Sequence, residues 1–288
     1  MLKKQKLLFV LFLLTCLCLS MSFVSADNMT DIDDSNNNHT DDSIVDNHPS
    51  KSFTDLNNLI NDLNKSEIIL EDDYVNQKGD TNYHDYEQHG DLIFIITTGI
   101  LINRSVNIEG QGHIIDANNL SEIFYLNADN ITLKNIVFKN ANGFNFGAVY
   151  CSASNISIIN CTFINNYGIT GAVSCNNQQN ISIINSTFIN NSGSLMGPAA
   201  IRCEAPVDII NSTFINNHCK YERTFRSFII TLFNGGRIIN STFTDNYVYS
   251  NDEEKYAGIY YYDIIFNVVD ETITYSENRY NVSNVVEG

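Results

Sequence analysis

Apolar and polar residues alternate along much of this chain in short runs, and the runs return on a fixed beat. "NISIINCTFINN" at 155–166 comes back almost unchanged as "NISIINSTFINN" at 180–191, and in eroded form twice more. With one Asn and one Phe of each copy as anchors, the copies fall at Asn135, Asn160, Asn185, Asn211 and Asn240, and at Phe138, Phe163, Phe188, Phe214 and Phe243. The intervals are 25, 25, 26 and 29 residues. A period in the twenties marks stacked units that bury their apolar faces only against one another. Alternating β-branched residues specify strands, whereas a leucine-rich repeat of similar length would show a Leu skeleton and room for a helix. The pattern therefore predicts an all-β coil of short parallel strands, one turn per unit.

Facing follows from the alternation. In residues 181–189, Ile181 and Ile183 point inward, and beyond a corner at Asn185 so do Ser186 and Phe188. One inward row is Ile131, Ile156, Ile181 and Val207, another Leu133, Ile158, Ile183, Ile209 and Ile238, and the Phe row runs beside them. At the strand spacing of about 4.8 Å the phenyl rings suit offset stacking, and each buried member stabilises by roughly 1.5 to 3 kcal/mol. Asn tolerates the left-handed backbone of a sharp corner, and its amide can bond to the Asn of the next rung. "AVYC", "AVSC" and "AIRC" share one register, which makes Cys151, Cys175 and Cys203 an inward ladder, read as free apolar filler although adjacent rungs suit a disulfide.

The first full turn is 106–130, with strands before it in "DLIFIITTGILIN" (91–103) and an edge strand in "SEIIL" (66–70). An open solenoid end needs a cap. "SFTDLNNLINDLN" (52–64) supplies a helix, capped by Ser52 or Thr54, with Phe53, Leu56, Leu59, Ile60 and Leu63 on one apolar face. Towards the C-terminus the pattern blurs. Residues 217–236 read as an insertion with Lys220, Arg223, Arg226 and the strand "SFIITLF", and 256–269 as a Tyr-rich further turn.

Lys3, Lys4 and Lys6, an apolar run to Met21 and the small residues Val24-Ser25-Ala26 have the form of a signal peptide. The expected organisation is a signal peptide at 1–26, a disordered acidic leader at 27–50, a capping helix at 51–65, the parallel β-helix at 66–270 and a C-terminal tail at 271–288. The formal charge of −17 becomes more negative once the signal lysines are removed. Such a chain repels nucleic acid and anionic lipid, so neither is expected as a partner. Glycosylation sequons recur through the repeats, and Asn28, Asn38 and Asn281 are the better acceptors because they lie outside them.

Signal peptide, Ser-Phe-Thr-Asp-Leu helix, "INRSVNIEGQGHIIDAN" and repeated "INSTFINN" together resemble the adhesin-like surface proteins of methanogenic archaea. The resemblance covers about residues 52–245. It implies the right-handed parallel β-helix of pectin lyases and polymorphic outer-membrane proteins, in a secreted or cell-surface, non-catalytic protein. Its partner would be a polysaccharide or a surface protein, with self-association also open.

Pectin lyases and related hydrolases place Asp clusters, paired Asp or a basic residue on neighbouring rungs. The outward rows Thr132, Ser157, Ser182 and Val137, Thr162, Thr187, Thr213, Thr242 do not titrate, Asp208, Arg237 and Asp245 read as isolated, and His113 sits in a turn. No catalytic residue, metal site or cofactor is expected; the alternative is a pectin-lyase-like carbohydrate-active enzyme with an unrecognised site. The candidate binding surface is a pair of outward apolar ladders, Ile159, Ile184, Ile210 and Ile239 beside Ile164, Ile189 and Ile215. Either it is bare and sticky, or 217–236 or the Tyr-rich stretch folds over it. Tyr260, Tyr261 and Tyr262 offer a second place for sugar rings to stack.

Overall fold

The computed structural model describes residues 50–80, 83–89, 92–143, 146–176, 180–193, 197–220, 229–234, 236–249, 259–261, 273–276 and 286–287; the expected signal peptide and leader lie outside them. The chain winds as a parallel β-solenoid of about 6 coils with about 25 residues per turn. A seven-stranded Ile sheet collects Glu67–Ile69, Val106–Glu109, Ile131–Lys134, Ile156–Ile159, Ile181–Ile184, Val207–Ile210 and Gly236–Ile239. A nine-stranded Phe sheet includes Ile114–Asp116, Val137–Lys139, Thr162–Ile164, Thr187–Ile189, Thr213–Ile215 and Ser241–Thr244. A second nine-stranded sheet, the Cys sheet, includes Phe124–Leu126, Val149–Cys151, Val173–Cys175, Ile201–Cys203 and Ile230–Leu232. A fourth, of four short strands, runs through Tyr167–Gly168, Ser192–Gly193, His218–Lys220 and Tyr247–Tyr249.

The register is the repeat period made spatial. Ile156 pairs with Ile181 and Ile181 with Val207; Phe138, Phe163, Phe188, Phe214 and Phe243 pair in succession. All five Phe are buried. Their rings stack with centroids 4.9, 4.7, 4.9 and 4.6 Å apart, and Phe124 caps the column edge-on at 5.6 Å. A sharp corner follows each of the last five Ile-sheet strands, where Asn135, Asn160, Asn185, Asn211 and Asn240 take φ between 49 and 54°. An L-residue pays for that conformation unless its side chain is short and polar, which is why Asn recurs there.

The helix is Phe53–Ile60, with Ser52 as N-cap in a capping box with Asp55. Phe53, Leu56 and Ile60 are buried and Leu59 packs partly on the core, but Leu63 is exposed because the helix ends before reaching it. Two long-range contacts hold the helix to the coil. The Asp80 carboxylate accepts from the Phe53 and Thr54 backbones at 3.2 and 3.3 Å, and Arg104 donates to the Ile60 carbonyl at 2.6 and 3.0 Å. An acid at the first turn and a base at the last both complement the helix dipole.

Three features depart from the sequence reading. Tyr83–His89 forms an antiparallel hairpin with the first part of Leu92–Ile102, the last part of which enters the Cys sheet. Gly99, φ +119°, sits where one role changes to the other, and a Cβ there would meet the Ile123 carbonyl at 2.8 Å. The stretch read as an insertion is an expanded rung, because His218–Lys220 joins the short sheet and Ile230–Leu232 the Cys sheet. The stretch read as a tail adds Ile273–Ser276 to the Phe sheet and Val286–Glu287 to the Cys sheet.

Candidate functional site

On the outside of the coil the strands line up residue by residue. Along the Ile sheet one row runs Glu109, Lys134, Ile159, Ile184, Ile210, Ile239. Along the Phe sheet one row runs Ile114, Val137, Thr162, Thr187, Thr213, Thr242 and its neighbour Asp116, Lys139, Ile164, Ile189, Ile215, Thr244. The two candidate Ile ladders are thus real rows, and their members are half-buried, shielded by one another along the row. Between them lie the corner Asn and the Thr row, so the two ladders are not one unbroken apolar patch. Three successive rungs present the same outward groups: Ile, Asn, Thr, Ile, Asn.

The strands described within 217–236 join the short, Cys and Ile sheets of the coil; residues 221–228 and Tyr262 lie outside the described residues, as do the side chains of Tyr260 and Tyr261. An open groove of about 420 Å³ runs along the N-terminal end of the array, lined by Gln111, Gly112, Asn135, Val137, Asn160 and Thr162 among others.

Side-chain amides stiffen the corners. Asn160 donates to Asn135, Asn190 to Asn165 at 2.7 Å, and Asn216 to Asn190 at 3.1 Å. A second corner row, Asn165, Asn190, Asn216 and Asp245, has φ between 52 and 54°. Thr242 donates to Thr213 at 3.2 Å, and Ser182 to Ser157 at 3.2 Å.

The next Asn of each repeat is not at the surface. Asn166, Asn191, Asn217 and Asn246 are buried in a column. Asn191 is typical: its Oδ1 accepts from the Asn166 backbone and side chain at 3.0 Å each, while its Nδ2 donates to the Phe163 carbonyl at 3.0 Å and to Asn217 Oδ1 at 2.9 Å. All four positions of the amide are used, which is what makes burial affordable. Reading every Asn as a corner missed this column. The signal was the doubled Asn at 165–166, 190–191 and 216–217, since one corner needs only one.

Charged groups lie mainly at the border of the array. Lys134 meets Glu109 at 3.0 Å and Lys139 meets Asp116 at 3.6 Å. Burial pushes the Glu109 carboxyl up, but donation from Asn135, the Gln111 backbone and Lys134 outweighs it and holds the group below its ordinary range. Asp208 and Arg237, read as isolated, face each other one rung apart in a forked ion pair, with Arg237 Nε 2.9 Å from Asp208 Oδ1. Asp245 stands at a corner in place of Asn. His113 Nδ1 lies 3.0 Å from Asp73 Oδ1, which also accepts from the Ile114 backbone at 2.8 Å, so this pair ties an early strand to the first coil. From Asn140 to Ile201 there is no Asp, Glu, Lys, Arg or His at all.

Cys151, Cys175 and Cys203 pair in register as buried free thiols; Cys161 and Cys219, elsewhere in the coil, are buried too. Hydrogen bonding between neighbouring thiols and burial push Cys151 well above the ordinary thiol range, and burial pushes Cys161 up to about 12. Cys161 occupies the row of Ser186, Ser212 and Ser241, where each hydroxyl accepts from the backbone of the rung before and donates to an Ile carbonyl.

Among the described residues no group of three or more His, Cys, Asp or Glu converges as a metal site would require, and no helix is long and apolar enough to cross a membrane. Comparison with protein-family models, with curated proteins and with solved structures finds no match to this chain.

Proposed function

We propose that this chain is a secreted or cell-surface, non-catalytic β-helix protein of the adhesin-like kind found in methanogenic archaea, binding a polysaccharide or an envelope protein through its rung faces. The observation that carries the reading is the outward array: three rungs repeat Ile, Asn, Thr, Ile and Asn in register, rows whose own members do not titrate, and Asp208 on the third rung is tied up in its ion pair with Arg237. Acid–base work on a glycosidic bond needs such groups, whereas adhesion by many weak equivalent contacts needs only repetition. A stiff rod with stacked amides and hydroxyls presents those contacts at little entropic cost.

Incubating the mature protein with a panel of uronic-acid and neutral polysaccharides tests the reading. No new reducing or unsaturated ends are expected. Their appearance would replace it with the carbohydrate-active alternative. The double substitution Ile184→Asp with Ile210→Asp is expected to abolish retention on whichever polysaccharide or envelope fraction holds the wild type.

A further inference from the structure

We propose that the array takes an uncharged polysaccharide, lying as an extended chain against the rungs that carry Ile159 to Asn216. This rests on the binding reading above and specifies the chemistry of its ligand.

Charge is the first argument. The chain has a formal charge of −17, yet its central rungs carry none between Asn140 and Ile201. Stacking alone does not demand this. Like charges directly above one another repel, but alternating signs satisfy the same geometry, as Glu109 with Lys134 and Asp116 with Lys139 demonstrate. An anionic polymer would meet a repelling protein whose cations next to this face, Lys134, Lys139 and Arg237, are each already engaged by a carboxylate. A cationic polymer would find Glu109, Asp116 and Asp208 at the border already paired and, among the described residues there, only Asp245 beyond Asn216 to meet it.

The groups themselves are the second argument. Amides and hydroxyls both donate and accept, as sugar hydroxyls do, and the intervening Ile rows offer apolar ground to the C–H faces of sugar rings. The amides of Asn160, Asn165, Asn190 and Asn216 are held in place by their neighbours along the corners. A protein partner is usually anchored by Trp, Tyr or Arg, and these rows contain none. Periodicity is the third. A polymer of repeated sugars meets a repeated set of contacts at the rung spacing of about 4.8 Å, and the open groove beside Gln111 and Asn135 lets the chain run on past the last uncharged rung.

The test is retention on cellulose, mannan and chitin, which are neutral, against polygalacturonate and chitosan, which are not, at low and high salt. Wild type is expected to be held by at least one neutral glycan, with retention unchanged by salt. Thr187→Lys, and separately Thr213→Lys, should each weaken that retention about tenfold or more, since each forces an uncompensated charge into the contact. Asn176→Lys, just beyond the Cys sheet, should leave it unchanged, with thermal melts establishing that all three variants fold. Retention confined to polygalacturonate or chitosan and lost in salt overturns the proposal. So does neutral-glycan binding that both Lys variants leave intact, and so does retention by an isolated envelope protein alone. In those three cases the binding reading survives. If neither any glycan nor whole envelope material retains the protein, both fall together.

Discussion

The first coil and the central coils meet the same stacking requirement with different chemistry. In the first, the outward contacts are ionic, Glu109 to Lys134 and Asp116 to Lys139. One rung further, the same rows hold Ile159 and Ile164, and the contacts between rungs become Ile on Ile, Asn on Asn and Thr on Thr. The interior differs in parallel. The buried amide column runs from Asn246 down to Asn166 and ends where Asn166 Oδ1 accepts from the backbone of Ala141. A row of identical residues is stable only if the residue is neutral, because a row of one sign repels itself at strand spacing. The central coils are therefore free to repeat, and the first coil, with paired opposite signs, is not.

Removing what the central rungs share should cost most. Phe188→Ala takes one ring from the middle of the column and leaves Phe163 and Phe214 facing a cavity, for about 3 to 5 kcal/mol, read from the shift in a denaturant midpoint. Asn191→Ala deprives the Asn166 backbone N–H and the Phe163 carbonyl of their partners in a buried place, roughly 2 to 4 kcal/mol on the cost of orphaned groups. A loss below about 1 kcal/mol would mean that water reaches the column. Asn185→Ala keeps the corner but puts Cβ without a polar side chain at φ 51°, for about 1 to 2 kcal/mol. The ordering of Asn191 above Asn185 is the sharper result, since the two are chemically identical.

That ordering also locates the limit of the sequence. The period, the inward rows and the Asn corners could be read directly because stacking makes each rung a copy of the last, so one facing decision serves all. The buried Asn column could not be read from propensity, since a lone amide in a core is costly and only the neighbouring rungs make it acceptable. The pair Asp208 and Arg237 is 29 residues apart and becomes visible only through the expanded rung between them. The hairpin at Tyr83–His89 breaks the repeat altogether, and its strand is polar on both faces in sequence, without the apolar alternation that marks the others. Leu63 fits a helical face by spacing, but the helix stops at Ile60.

Acid should separate the two regions without any mutation. Hydrogen bonds from the Ser52 side chain and backbone hold Asp55 below its ordinary range; burial pushes Asp80 up, but donation from Gln77, Thr54 and Phe53 outweighs it and leaves it lowered. A carboxyl with a depressed folded-state pKa contributes stability above its unfolded value and loses it as the pH falls through the folded one. Below a pH of about 4 the capping helix and first coil should therefore exchange amide hydrogens faster relative to intrinsic rates, beginning at Phe53 and Thr54. The rungs between Asn140 and Ile201 carry no group that titrates in that window and should not respond. Equal acceleration in both regions would show that the coil opens as one unit.

The smallest expected effect comes from turning one region into the other. Lys134→Ile continues the row of Ile159 and Ile184 one rung towards the N-terminus. It removes the ion pair with Glu109, whose lysine side chain is half exposed, a contact worth about 0.2 to 1 kcal/mol. In exchange it adds a β-branched residue with an Ile directly above it, a cross-strand pair of similar worth. Glu109 keeps its bonds from Asn135 and the Gln111 backbone, so the carboxylate is not left bare. Stability should then move by no more than about 1 kcal/mol in either direction, while its dependence on salt falls, since screening acts on the pair and not on the Ile row. A loss of more than about 2 kcal/mol would mean that the first coil is held together by its charges. In that case the two halves of the solenoid would differ in what stabilises them, and not only in what they display.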